Sequence, residues 1–114
     1  MLSAVLASAI YAAAMQNAAA TSARSALVEC LRTAAAEAMK SKVAADGLTP
    51  HMRTTCSAQA AKLKSALVAF DMKNGISRKQ AGADADLQLD DYYATQEDKY
   101  RYQLEKIAKT ASSN

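Results

Sequence analysis

Apolar positions in this chain recur every three or four residues, and no stretch alternates with period two over strand length. Leu27, Leu31, Ala34/Ala35, Ala38/Met39 and Val43 form one stripe, with Arg32, Glu37, Lys40 and Lys42 largely off it. That spacing predicts a first helix over about 23–45, capped by Ser22 or Ser25. Asp46-Gly47 is expected to stop it, with Gly47 in the left-handed conformation. Met52, Cys56, Ala60, Leu63, Leu67 and Phe70 are spaced 4-4-3-4-3 and predict a second helix over 50–73. Thr49 as N-cap and Pro50 at the first helical position open it, and Asn74-Gly75 closes it.

A third helix is predicted over 77–109. Ser77-Arg78-Lys79-Gln80 reads as a capping box, with Ser at N-cap and Gln at N3. Its stripe is Ala85, Leu89, Tyr93, Gln96, Tyr100, Leu104 and Ile107. Its front half is acidic (Asp84, Asp86, Asp90, Asp91, Glu97, Asp98) and its back half basic (Lys99, Arg101, Lys106, Lys109), the order the helix dipole prefers. At roughly 45 Å it is longer than its partners, so Gly82 bends it, its end overhangs, or it packs on a further N-terminal helix.

Residues 1–23 carry no charge. Leu2 to Met15 is an apolar run of signal-peptide length, and Ala18 and Ala20, or Ala12 and Ala14, fit a cleavage site. The Lys or Arg that normally precedes such a run is missing. The run is short for a membrane span, which needs about 20 residues. The expectation is a signal peptide over 1–20 and one helical domain over 21–114. The rival is a cytosolic four-helix bundle that retains this segment, since Leu2, Leu6, Ile10 and Ala13 also recur at helical spacing. The fold class is therefore all-α, a three-helix bundle preceded by a signal-peptide-like helix.

Alanine makes up about a quarter of the chain and buries little area, which favours closely packed helices over a thick core. A net charge of +3 does not point to nucleic acid. The two cysteines, Cys30 and Cys56, are expected to pair if the chain is exported. Such a bond would stabilise by roughly 3 kcal/mol. It conflicts with a straight hairpin of the predicted helices. Cys30 would lie about 17 residues before the turn and Cys56 about nine after it, leaving them about 12 Å apart along the axis. A disulfide needs Cα atoms within about 7 Å. If it forms, the first helix ends early, near Met39, or the helices cross steeply. Two buried free thiols are the alternative.

Candidate chemistry is sparse. His51 is the lone histidine, beside Met52; adjacent residues on a helix cannot ligate both faces of one haem, and a surface histidine is the plainer reading. Asp86 and Asp90 share a face but lack EF-hand spacing, and pairing with Lys62 or Lys64 explains them better. No cofactor and no metal is expected, and no nucleophilic motif is present. Tyr92, Tyr93, Tyr100 and Tyr102 are four of the five tyrosines. They form a possible interaction surface, although packing against alanine-rich helices accounts for Tyr93 and Tyr100. Arg24, Arg32, Lys40, Arg53 and Lys64 could line an anion pocket between helices, as in the small helical chorismate mutases, although no motif of theirs aligns here.

The layout resembles small exported helical proteins of unknown function from alphaproteobacteria. The features that carry it are the Ala-rich leader, Glu29-Cys30-Leu31, Thr55-Cys56, Ala69-Phe70-Asp71 and Asn74-Gly75-Ile76-Ser77-Arg78. The resemblance implies a periplasmic or secreted location and a paired disulfide, and no activity. The function expected first is a non-enzymatic envelope protein that binds a protein partner through the tyrosine-bearing helix. The second is a small-molecule binder or enzyme with a cationic pocket.

Overall fold

The computed structural model describes the backbone of residues 2–112 and the side chains of residues 18–112. The described chain is all-helical: α1 Leu2–Lys40, α2 Ala45–Thr55, α3 Ser57–Lys73 and α4 Arg78–Ser112. The predicted leader does not form a separate helix, because its backbone continues α1 without interruption. Its apolar run from Leu2 to Met15 lies outside the residues whose side chains are described. The fourth helix of the count arises elsewhere, from a break at Cys56 within the predicted second helix.

α1 turns back at Ser41–Ala44 into α2 and α3, and α4 returns beside both, parallel to α1. The molecule is 75 Å long. A 39-residue helix spans about 58 Å, so α1 and α4 are staggered and overhang at opposite ends.

The first turn differs from the sequence expectation. α1 ends at Lys40, not near Ala45, and α2 begins at Ala45, not at Pro50. The Val43 N–H bonds the Ala38 carbonyl at 2.9 Å and the Lys42 N–H bonds the Met39 carbonyl at 3.2 Å. That is the Schellman pattern, and the residue in the left-handed position is Lys42, with φ 57°. Gly47 does not stop the helix. It sits in the first turn of α2, where a Cβ would meet Val43 Cγ1 at 2.9 Å. Thr49 and Pro50 lie inside α2, and Pro50 has no N–H for the Asp46 carbonyl one turn back. That loss falls at an exposed residue, which limits its cost.

The second turn matches the expectation. Gly75 takes φ 88°, the Ile76 N–H bonds the Asp71 carbonyl at 3.0 Å, and the Gly75 N–H bonds the Met72 carbonyl at 3.1 Å. The two Schellman turns thus differ at the residue that bears the positive φ. A side chain there costs about 1 kcal/mol or more. Lys42→Gly is therefore expected to stabilise the protein by about 0.5–1 kcal/mol, after subtracting the entropy glycine adds to the unfolded chain. Gly75→Ala, with nothing within 4 Å of the new Cβ, should destabilise it for conformational reasons alone. Urea unfolding of both variants reads this directly; a lower midpoint for Lys42→Gly would contradict it.

Only half of the predicted capping box at Ser77 forms. The Gln80 N–H donates to Ser77 Oγ at 3.2 Å, but Gln80 Nε2 donates to Asp84 Oδ1 at 2.8 Å, one turn ahead.

The core is one cluster. α1 gives Leu27, Leu31, Ala34 and Ala38; α2 gives Leu48 and Met52; the break after α2 gives Cys56; α3 gives Ala60, Leu63 and Leu67; α4 gives Ala85, Leu89, Tyr93 and Tyr100. Tyr93 and Tyr100 are the two aromatic rings in it. The Tyr100 hydroxyl donates to the Val43 carbonyl and so ties α4 to the Schellman turn. Departures from the predicted stripes include Leu48, which is fully buried, Phe70, which is half-buried, and Ile107, which is exposed.

Cys30 and Cys56 lie at disulfide distance, with sulfurs 2.09 Å and Cα atoms 5.9 Å apart. The early end of α1 allows this. Cys30 lies about ten residues before the end of α1 and Cys56 about eleven after the start of α2, so the two are level. Of the two geometries the bond permitted, the shortened first helix is the one found.

Candidate functional site

The four clustered tyrosines do not form one surface. Tyr93 and Tyr100 are core residues. Tyr92 is half-buried and borders the hollows on either side of it. Tyr102 is exposed, with Lys106 Nζ 5.5 Å from its ring.

The five candidate cations also separate. Arg53 bonds Asp90 Oδ1 at 3.0 Å and lies 4.4 Å over the Tyr93 ring. Lys64 pairs with Asp86 at 2.8 Å, as the acidic face of α4 suggested. Both pairs are largely exposed, worth less than about 1 kcal/mol each. Their role is to set the register of α4 against α2 and α3. Lys40 sits exposed in the last turn of α1, where a cation suits the dipole. Arg101, not foreseen, bonds Asp46 Oδ1 at 2.6 Å and approaches Glu97 at 3.8 Å. Its pKa is raised by the hydrogen bond to Asp46, against desolvation and with the charges of Glu97, Asp46 and Asp98 behind it.

Arg24 and Arg32 do come together. They line a hollow of about 410 Å³ between α1 and α4, with Ser25, Val28, Glu29 and Tyr92. Arg32 also lines a second hollow of about 280 Å³, with Ala35 and Ala36 on α1 and Gln96, Lys99, Tyr100 and Gln103 on α4. Sequence reasoning placed Gln96 on the core stripe of α4 and missed its partner Lys99. The available signal was Gln96 itself, a polar residue in an otherwise apolar stripe.

His51, expected at the surface, is half-buried, and its Nε2 is enclosed without a hydrogen-bond partner among the described residues. No group of three or more His, Cys, Asp or Glu side chains gathers as a metal site among the described residues. Nor is any described helix long and apolar enough to cross a membrane.

The stripe of α4 runs on beyond the bundle. Leu104 is half-buried against the core, and Ile107 one turn later is 55% exposed. Ala108 and Ala111 extend the same face at helical spacing and are exposed. Tyr102 is about 140° away from Ile107 around the helix and belongs to the other side.

No protein-family model, curated protein or solved structure matches this chain.

Proposed function

We propose that this chain is an exported, disulfide-stapled helical module that binds another protein through the overhanging end of α4, rather than an enzyme. Export is supported by the uncharged apolar run and the small residues after it, and by a cysteine pair at disulfide distance, a pairing rare in reducing compartments. With residues 1–20 removed, the mature bundle has three arms: 21–40, 45–73 bent at Cys56, and 78–112. Its place is the periplasm or the medium.

The observation that carries the binding role is the core stripe of α4 extending past the turn it packs on. Leu104 and Ile107 continue the line of Tyr93 and Tyr100, and Ile107 is solvated. An apolar stripe that outruns its neighbours suits a partner that completes the packing. Of the nearby basic side chains, Arg101 borders it and is already paired with Asp46 and Glu97, whereas Lys106 and Lys109 lie toward the other side of the helix. The partner surface it fits is therefore apolar.

A photo-crosslinking residue at position 107, expressed in the native cell, tests this. One discrete protein adduct at 107, and none from position 102 on the opposite face, is the expected result. Adducts of equal yield from both positions, or none from 107, would remove the proposal. Intact mass of the same material tests export: a species lacking the leader and gaining two hydrogens on reduction is expected.

A further inference from the structure

The groove between α1 and α4 is lined in a way the packing does not explain. Its floor is Gln96, which is only 8% exposed. The Gln96 amide makes no hydrogen bond to any described residue. The amide atoms are not among the buried side-chain atoms that lack a partner, so they reach solvent in the groove. The amide is therefore open to whatever occupies the groove, offering two donors and one acceptor oxygen.

The walls carry charge of one sign. Arg32 rises from α1 and Lys99 from α4, and neither is in an ion pair among the described residues. Elsewhere Arg53 and Lys64 meet carboxylates on α4, and Arg101 of α4 meets Asp46 on α2. No acidic residue lines this hollow. Glu29 borders the adjoining hollow beyond Arg32 and is not within ion-pair distance of it. Gln103 adds a second amide at the rim, and Ala35, Ala36 and the Tyr100 ring give apolar wall between the two cations.

We infer that this groove binds a small organic dicarboxylate, one carboxylate on Arg32 and the other on Lys99. Two unpaired cations on opposite walls match two negative charges held apart. The apolar wall between them suits a short carbon chain. Phosphate would place its charge at one centre and leave that wall unused. The Arg32 guanidinium takes one carboxylate in its planar fork, Lys99 takes the other as a point charge, and Gln96 reads polar atoms along the chain. At about 280 Å³ the hollow is small, which favours a ligand of few atoms. This role is separate from the binding face proposed for the end of α4, which Leu104 and Ile107 carry.

The test titrates the full disulfide-bonded chain with succinate, inorganic phosphate and propionate, followed by amide chemical shifts. Succinate should produce saturable shifts centred on Gln96 and Lys99, tighter than those from phosphate or propionate. Arg32→Gln and Lys99→Gln should each weaken succinate binding about ten-fold or more, the loss expected for one charged hydrogen bond. Both side chains are exposed, so the variants should keep their melting temperature, which the same samples report. Lys40→Gln should leave affinity unchanged. Absence of saturation up to about 10 mM succinate, affinities that ignore Arg32→Gln, or tighter binding of phosphate would each overturn the assignment.

Discussion

Replacing both cysteines by serine should cost this protein about 3 kcal/mol. The pair closes a loop of 26 residues in sequence separation, and chain entropy for a loop of that size gives a loss in this range. For a domain this small the melting temperature should fall by more than about 10 °C. The location of the bond adds to the effect. Cys56 is fully buried and sits at the break between α2 and α3, against the stripe of α1. A serine hydroxyl at the fully buried position 56 would sit in an apolar cluster, a further cost of the same sign. Thermal unfolding followed by circular dichroism, with and without reductant, measures both versions. Reduction removes only the cross-link, whereas the serine pair also inserts polar atoms, so the double variant should melt lower than the reduced protein. A reduced protein that melts with the oxidised one would show that the cross-link contributes nothing.

The same pair shows what was readable in the sequence and what was not. The class of fold was readable, since helical periodicity runs through every arm and the second Schellman turn at Asn74-Gly75 carries its usual residue. The first turn was misread because Asp46-Gly47 is a stronger local signal than Ser41-Lys42. Nothing about a lysine marks it as the left-handed residue; its strain is tolerated because the Val43 carbonyl bonds Tyr100 from the far end of the chain. Yet the cysteines held the correction. Two residues on opposite arms of a hairpin are level only when the turn falls midway between them, which for Cys30 and Cys56 is residue 43. The observed turn, Ser41–Ala44, straddles it.

Other departures have a common cause. Periodicity shows which face of a helix is apolar but not where its neighbours end, so Ile107 belongs to the stripe and is nevertheless exposed. Counting charges anticipated a carboxylate on α4 for Lys64 but not the partners of Arg53 and Arg101. Arg53 and Lys64 face carboxylates on α4, while Arg32, in the same candidate group, faces Lys99 and two amides. Which of these arises depends on the stagger of α1 and α4, and that stagger is set by the turn at residue 43.

Leu48→Ala should destabilise the protein by about 3 kcal/mol, within the roughly 2–5 kcal/mol range for large-to-small changes in a packed core. The size of this effect separates the two readings of the first turn. If Asp46-Gly47 ended the first helix and Pro50 began the second, Leu48 would lie in a connecting loop, and its truncation would fall within about 0.5 kcal/mol of zero. In the structure Leu48 stands in the first turns of α2, fully buried in the cluster with Leu31 and Met52. Its burial depends on α2 starting at Ala45, and that start depends on Lys42 turning the chain. The alanine variant leaves a cavity in the core cluster to which α1, α2 and α4 contribute. It should therefore lower the urea midpoint while Thr54→Ala, an exposed change on the same helix, does not. A near-neutral Leu48→Ala would restore the longer first helix and, by the level condition on a hairpin, separate the two cysteines again.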